Sequence, residues 1–343
     1  MTSTIETRNI DVTFSAGFGG RVKKTALCDV SLVVGGERAS ITAVVGESGS
    51  GKTTLTRLLL GFQAPTAGEI LYNGAPMSAL KGGALKAFRR DVQAIFQDPF
   101  EVFNPFYRVE HPLVTPLRTF GLARSRAAAL SRIEAAMATV GLRPQETIGK
   151  YPHQLSGGQR QRIMIARALA LQPSVILADE PVSMVDASLR STILELLFKL
   201  NREEGIALIY VTHDLTTAYQ VAETILVLYG GQIMEIGDAQ SVIHAPRHPY
   251  TKALIEAVPS PDPAVPWNLG DGTDATDTHN LPQTGCAFAP RCPHAMERCR
   301  IERAPLFHTD PARASACWLD ERAETATAAM IQRAAAEPAR AER

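Results

Sequence analysis

A glycine-rich stretch of eight residues constrains the fold of this chain more than any other feature of its sequence. Residues 46–53 read GESGSGKT, which fits the pattern G-x-x-x-x-G-K-S/T. An apolar, β-branched run at 41–45 precedes it, and a helical run that ends at Gly61 follows it. Strand, glycine-rich loop and helix form the first unit of a parallel α/β fold whose backbone N–H groups surround phosphate. The sequence therefore predicts an α/β nucleotide-binding protein, and this context disfavours the alternative of a chance glycine turn.

The loop supplies the expected phosphate ligands. Lys52 is expected to reach the β- and γ-phosphates, and the hydroxyl of Thr53 is expected to bind Mg²⁺. The helix that starts at Lys52 adds the positive end of its dipole. The predicted nucleotide-binding residues of the loop are Gly46, Glu47, Ser48, Gly49, Ser50, Gly51, Lys52, Thr53 and Thr54.

Two adjacent carboxylates, Asp179 and Glu180, end a second apolar run at 174–178. In a protein with a phosphate loop, we expect Asp179 to hold Mg²⁺ and Glu180 to polarise the attacking water as general base. Without that loop, the pair would more often be a solvated turn. A helical pattern over 189–204 and a strand pattern at 206–212 complete a βαβ unit with the 174–178 run.

Residues 155–159 read LSGGQ and open a helical run that must end before Pro173. This stretch resembles the signature sequence of ATP-binding-cassette (ABC) ATPases, and its residues are Leu155, Ser156, Gly157, Gly158 and Gln159. The resemblance implies a P-loop NTPase cassette with a parallel-sheet core, an antiparallel β subdomain and an inserted helical subdomain at about 98–172. In that family the signature grips the ATP bound by the opposite subunit, so that ATP binding closes a dimer.

The same resemblance assigns roles to further positions. Gln97 in IFQDP matches the glutamine that contacts Mg²⁺ and water and couples to the transmembrane partner. Asp186 matches the aspartate at the dimer seam, and His213 matches the histidine that senses the γ-phosphate. Phe14 is the expected aromatic partner of adenine, with Phe18 as its rival. The predicted catalytic residues are Glu180, His213 and Gln97, and the predicted Mg²⁺ ligands are Thr53, Gln97 and Asp179.

The C-terminal part resembles the extension of oligopeptide and dipeptide importer ATPases, through HPYTKALIEAVP at 248–259 and a cysteine-rich segment after it. The resemblance implies an ATPase subunit that drives peptide uptake, closer to the F-type partner of a heterodimer. Val102 and Phe103 stand where that subfamily commonly has serine and leucine. Importers of nickel, opines or oligosaccharides use similar ATPases and are the main alternative. A net charge of +0 and a single cassette disfavour an ABC ATPase that acts on nucleic acid.

Four cysteines, spaced C-x5-C-x6-C-x17-C, crowd into the last part of the chain. In a reducing compartment such a group indicates metal before disulfide. Zinc sites usually have tighter pairs, whereas four thiolates suit an iron–sulfur cluster. The resemblance implies a 4Fe–4S cluster held by Cys286, Cys292, Cys299 and Cys317, with zinc or no metal as alternatives. Cys28, far from this group, is expected to be a small buried apolar residue.

Changes in composition suggest three regions. Residues 1–245 are the predicted nucleotide-binding domain, 246–320 a proline-rich linker and cysteine-rich extension, and 321–343 a frayed or disordered tail. The sequence has no run of about 18 apolar residues and no signal-peptide pattern. We therefore expect a peripheral protein on the cytoplasmic face of the cell membrane. Its expected partners are a second ATPase subunit, identical or different, two permease subunits and, indirectly, an extracytoplasmic substrate-binding protein.

Overall fold

The computed structural model describes residues 3–16, 22–36, 38–100, 102–258, 284–327 and 330. Its strands are β1 (Ile5–Ala16), β2 (Val22–Val34), β3 (Ile41–Val45), β4 (Ala67–Tyr72), β5 (Ala75–Pro76), β6 (Val92–Ile95), β7 (Val175–Asp179), β8 (Ala207–Thr212), β9 (Thr224–Tyr229), β10 (Gln232–Asp238), β11 (Phe307–Asp310), β12 (Arg313–Ser315) and β13 (Glu324–Thr325). Its α-helices are α1 (Lys52–Leu59), α2 (Gly82–Asp91), α3 (His111–Thr119), α4 (Arg126–Thr139), α5 (Pro144–Thr147), α6 (Gly157–Leu169), α7 (Ala187–Glu204), α8 (Leu215–Val221), α9 (Ala239–His244), α10 (Pro249–Glu256) and α11 (Glu297–Ile301).

The chain divides into two compact units, which are described separately. The first contains Gly35–Ile41 and Ser78–Val211. The second contains Ile5–Val34, Thr42–Met77 and the chain from Thr212 onward. The domain boundaries expected from composition remain predictions.

The first unit is built on parallel strands. β6 pairs with β7, and β7 pairs with β8, both in parallel. Their side chains are almost entirely buried, which explains why these strands read as continuous apolar runs rather than alternating ones. Helix α4 packs against both α3 and α6, and α6 also packs on β6. The strands expected at 174–178 and 206–212, and the helix expected after residue 156, are therefore confirmed.

The second unit contains an antiparallel sheet in the order β2-β1-β4-β5. Alternate side chains of β1 and β2 are buried, among them Ile10, Val12, Val30 and Leu32. This alternation is expected of an antiparallel sheet with one face on the core. It corresponds to the antiparallel β subdomain that the family resemblance implies.

A second sheet in this unit runs β3-β9-β10-β12-β11-β13. β3 pairs with β9 in parallel, and β9 and β10 form an antiparallel hairpin. Both turn residues, Gly230 and Gly231, have positive φ, at 54° and 77°. Two consecutive positive φ values are what a type I′ hairpin turn requires, and glycine adopts them without strain.

The described residues of the C-terminal extension include both strands and helices. β12 adds to the edge of β10, and β11 and β13 follow outward. The interpretation of the residues after 245 as a linker is wrong for 249–256, which form α10. Residues 324–325 form β13, and the interpretation of 321–343 as a tail stays a prediction. The prolines at 259–266 and the segment 331–343 lie outside the described residues, and no described helix is long and apolar enough to cross a bilayer.

Candidate active site

The phosphate loop follows β3 and ends where α1 begins. A Cβ on Gly46 would collide with the carbonyl oxygen of Leu228, and one on Gly51 would lie 2.5 Å from the carbonyl oxygen of Ala26. Gly51 also has a φ of 108°, which L side chains rarely adopt. The glycines at both positions are therefore required by the close approach of neighbouring backbone, and they fix the path of the loop.

Lys52 lies across this loop. Its Nζ donates to the carbonyl oxygens of Gly46 at 2.7 Å and Glu47 at 2.9 Å, and the side chain is buried. The first turn of α1 has no acidic residue, and no side chain caps it. Its N–H groups and a buried ammonium thus lie at one end of a short loop, which is an arrangement suited to phosphate.

Glu180 follows β7 with a φ of 45°, a left-handed conformation that is unusual for a non-glycine residue. Its N–H donates to the carbonyl oxygen of Val211 at 2.8 Å, and its own carbonyl accepts from the hydroxyl of Ser183 at 3.0 Å. The Gln97 amide donates to a carboxylate oxygen of Glu180 at 2.8 Å. The structure therefore brings together two of the three predicted catalytic residues, and it holds one of them in a conformation typical of functional sites.

The signature segment forms the N-terminus of α6. Ser156 is the N-cap: its hydroxyl oxygen accepts from the N–H of Gln159 at 3.2 Å, and the Gln159 side chain accepts from the Ser156 N–H at 3.0 Å. Gly157 and Gly158 occupy the first two helical positions. A Cβ on Gly158 would collide with the side chain of Leu189. The capping box fixes the start of α6, and the two glycines leave its first positions without side chains.

Asp186, the aspartate predicted at the dimer seam, lies at the start of α7 and is exposed. The Leu189 N–H donates to its carboxylate at 2.9 Å, and the Ser188 hydroxyl donates at 2.7 Å. These bonds to the charged form lower the pKa of Asp186. Asp186 is therefore an N-cap in this chain, and its role at a dimer seam remains a prediction.

The remaining predicted ATP contacts lie in the second unit. His213 directly follows β8 and is exposed, and its neighbour Asp214 caps α8. Phe14 lies on β1 opposite Lys24, with 42% of its surface exposed. An exposed aromatic ring of this kind is available for stacking. Phe18, the rival for the adenine contact, lies outside the described residues.

All four C-terminal cysteines line one small cavity of about 20 Å³, together with His248, His294 and Trp318. Burial raises the pKa of the Cys317 thiol to about 12, and burial also raises the pKa of Cys286 and Cys292. Within the described residues, no group of three or more His, Cys, Asp or Glu side chains is arranged closely enough to hold a metal ion. The fold therefore brings the four thiols to one cavity, and none of them forms a disulfide. Cys28 is only half-buried and contacts Arg303, so the expectation of a small buried apolar residue is wrong.

Comparison with known proteins gives consistent results. One family model, described as "ABC transporter", matches residues 29–183, and another, described as "Oligopeptide/dipeptide transporter, C-terminal region", matches residues 234–299. A probable peptide ABC transporter ATP-binding protein of Sinorhizobium fredii is 42% identical over 300 residues, covering 85% of this chain and 82% of that protein. The oligopeptide transport ATP-binding protein OppF of Escherichia coli is 42% identical over 267 residues, covering 77% and 79%. A solved dimeric ATP-binding cassette, in a post-hydrolysis state with ADP and Pi, matches with a TM-score of 0.61 and 30% identity, covering 68% of this chain and 98% of that one.

Proposed function

From the premise that this chain belongs to the ATP-binding subunits of ABC transporters and is an ATPase of that family, we propose that it energises peptide import across the cell membrane. The observation that carries the peptide assignment is the match of residues 234–299 to the C-terminal region of oligopeptide and dipeptide transporters. The names of the relatives support the same substrate class. The protein would act at the cytoplasmic face, bound to two permease subunits and a second ATPase subunit.

In the proposed reaction, Lys52 and the N–H groups of the phosphate loop bind the ATP phosphates. Thr53, Gln97 and Asp179 would hold Mg²⁺, since hydroxyl, amide and carboxylate oxygens are the ligands that this cation prefers. When bound, Mg²⁺ would neutralise charge that develops on the phosphates. Glu180 takes a proton from the attacking water, and Gln97 orients the carboxylate through the 2.8 Å hydrogen bond.

The second half of each site would come from another subunit. Residues 155–159 of one cassette would grip the ATP held by the phosphate loop of its partner, with Asp186 at the seam and His213 close to the γ-phosphate. The N-terminus of α6 supports this role, because the first N–H groups of the helix and the Ser156 hydroxyl lie at the positive end of its dipole, where an anion is favoured. Each round of ATP binding would close the dimer, and hydrolysis would reopen it.

The segment after Gln97 is the proposed permease contact. Phe100, Phe106 and Tyr107 are 53%, 86% and 50% exposed, and aromatic side chains are enriched in protein interfaces. Phe103, at one of the positions that depart from the subfamily, is buried and 4% exposed. This departure therefore lies in the core of the unit, and the exposed aromatic residues around it remain available to a permease helix.

The substrate class is tested with the assembled transporter. We expect that this subunit, co-purified with its membrane partners and reconstituted with the cognate extracytoplasmic receptor, hydrolyses ATP several-fold faster when peptide is added. Nickel, opines and oligosaccharides, tested in parallel, serve as the comparison. Stimulation by one of these and none by peptides would contradict the proposal while leaving the ATPase assignment intact.

We further propose that Cys286, Cys292, Cys299 and Cys317 hold a 4Fe–4S cluster, because the donor set is four thiols around one cavity. Anaerobically purified protein is then expected to be brown, to absorb at about 400 nm and to contain about four irons per chain. Cys317→Ser should lose most of the absorbance, whereas Cys28→Ser should keep it. Stoichiometric zinc without iron, or neither metal, would refute the cluster.

A further inference from the structure

Glu47, the second residue of the phosphate loop, is bound by a residue that lies 244 positions away in the chain. The Nη1 of Arg291 donates to both carboxylate oxygens of Glu47, at 3.0 and 2.9 Å. Each of the two side chains is 33% exposed, so the ion pair is partly shielded from solvent. Arg291 ends the short 3₁₀ turn Ala289–Arg291, directly before Cys292. The cysteine-rich extension is therefore in direct contact with the loop that binds phosphate.

Further contacts hold the Arg291 side chain in place. Its Nη1 also donates to the Tyr229 hydroxyl at 3.3 Å. The guanidinium lies 5.6 Å from the Phe288 ring centroid and 5.8 Å from that of Tyr229. Such stacking limits the rotamers of the arginine, so that less conformational entropy is lost when it pairs with Glu47.

A second contact fixes the backbone of the same loop residue. The N–H of Glu47 donates to the hydroxyl oxygen of Tyr250 at 3.0 Å. Tyr250 is 1% exposed, and its ring packs 4.5 Å from Tyr229 and 5.3 Å from Phe288, between ring centroids. One buried phenol thus holds the peptide group of Glu47, and Arg291 holds its carboxylate.

The HPY sequence explains how Tyr250 reaches the loop. His248 is the N-cap of α10, and its Nδ1 accepts from the N–H of Tyr250 at 3.0 Å. Pro249 follows at the first helical position, which suits its fixed φ. The backbone N–H of His248 donates to the buried carboxylate of Glu235 at 3.0 Å. Cap, proline and buried carboxylate together fix the start of α10, and so they fix the direction of the Tyr250 side chain.

We propose that Arg291 and Tyr250 are positioning residues for ATP, through which the C-terminal extension completes the phosphate loop. This inference rests on the proposed binding of ATP at residues 46–54. A carboxylate in a loop that receives a triphosphate repels the incoming charge unless a cation compensates it. Arg291 supplies that cation and turns the carboxylate toward the extension, while Tyr250 keeps the peptide of Glu47 in the conformation that the loop needs.

The test compares ATP affinities by titration calorimetry, with Mg²⁺ present and on the full chain. Arg291→Gln is expected to raise the Kd for ATP about 3- to 10-fold, as a partly exposed, charge-assisted pair is lost. The turnover rate at saturating ATP should change less than about 2-fold, since Arg291 is not placed at the reacting atoms. The matched control is Arg298→Gln. Arg298 also pairs with carboxylates, those of Glu302 at 3.1 Å and Glu321 at 3.2 Å, and it also stacks on an aromatic ring, that of Trp318. All of these partners lie within the extension and not in the phosphate loop.

A second variant separates charge compensation from general damage to the extension. Glu47→Gln in the Arg291→Gln background removes the uncompensated carboxylate, so it should return the Kd to within about 2-fold of wild type. The defect of Arg291→Gln alone should shrink in high salt, because the repulsion is screened. Tyr250→Phe should raise the Kd about 2- to 5-fold with no change in salt dependence, as it removes one neutral hydrogen bond.

The inference about Arg291 is overturned if Arg291→Gln binds ATP as tightly as Arg298→Gln, or if the double variant is as weak as Arg291→Gln. If Tyr250→Phe binds ATP with wild-type affinity, Tyr250 is not a positioning residue. If Arg291→Gln does not fold, Arg291→Lys takes its place. A Kd for ATP that is raised about 2-fold in Arg291→Lys and restored by adding Glu47→Gln supports the inference. Wild-type affinity of Arg291→Lys overturns it. Wild-type protein that binds no ATP would instead contradict the proposed function, so the two failures are distinguishable.

Discussion

Glu180→Gln is expected to lower the steady-state ATPase rate by about 10²- to 10⁴-fold, the usual contribution of a general base. The substitution keeps the size of the side chain and an amide oxygen that can still accept the 2.8 Å hydrogen bond from Gln97. It removes only the group that takes a proton from water. The Kd for ATP should therefore remain within about 3-fold of wild type, because no phosphate ligand is lost. Phosphate release and equilibrium ATP binding, measured on the same preparation, check both expectations.

A control for this substitution is Glu195→Gln, on the exposed side of α7, which should leave both quantities unchanged. A second readout follows from the proposed cycle: if hydrolysis reopens the dimer, Glu180→Gln should accumulate closed, ATP-bound dimers in size-exclusion chromatography. Retention of the wild-type rate in Glu180→Gln would remove Glu180 as the base. Loss of both ATP binding and the ATPase rate would show instead that the carboxylate supports the fold of the site.

The active-site segments were the most predictable part of this chain, since each motif combines a local conformation with a chemical requirement. The loop at 46–53 needs glycine where neighbouring backbone approaches, and the structure shows such approaches at Gly46 and Gly51. The hairpin at Gly230 and Gly231 follows from the same conformational freedom. These features are encoded within about ten consecutive residues, which a reading of the sequence can recognise.

Contacts between distant segments could not be predicted in this way. The positive φ of Glu180 results from its place between β7 and the neighbouring backbone of Val211, not from any local preference of glutamate. The residues after 245 have the prolines and polar character of a linker, yet part of them extends the sheet of β10, because the unpaired edge of that strand offers hydrogen bonds to β12. Composition indicates local propensity, but it does not indicate which strand edge is available for pairing.

The positioning pair Arg291 and Tyr250 shows the same limit. The HPY sequence at 248–250 was recognisable, and its tyrosine carries a signal, since a buried phenol hydroxyl needs a hydrogen-bond partner. The identity of that partner, the backbone N–H of Glu47, depends on the fold, because Glu47 lies 203 positions away in the chain. Arg291 carried no signal beyond lying next to a cysteine. A motif therefore indicated that this segment matters, and only the folded chain shows what it contacts.

Ser156→Ala is expected to lower the ATPase rate of the assembled transporter about 10- to 100-fold, the cost of one charge-assisted hydrogen bond to phosphate. The hydroxyl oxygen of Ser156 accepts from the Gln159 N–H at 3.2 Å, and its own hydrogen remains available as a donor. We expect this donor to contact the γ-phosphate held by the opposite subunit. In a Glu180→Gln background, Ser156→Ala should also abolish the closed, ATP-bound dimer, because the signature then no longer bridges to the nucleotide.

The substitution has a structural cost that must be separated from this effect, and the chain provides the comparison. Ser125 is the N-cap of α4, and its hydroxyl oxygen accepts from the Ala128 N–H at 3.1 Å, so Ser125→Ala removes an equivalent cap from a helix with no proposed nucleotide contact. Each variant should lose about 1 kcal/mol of unfolding free energy, as is typical for an N-cap serine. Only Ser156→Ala should also lose turnover and the closed dimer. Equal ATPase rates in the two variants would mean that Ser156 caps a helix and does no more, and the shared reaction site between two cassettes would lose the residue on which it depends.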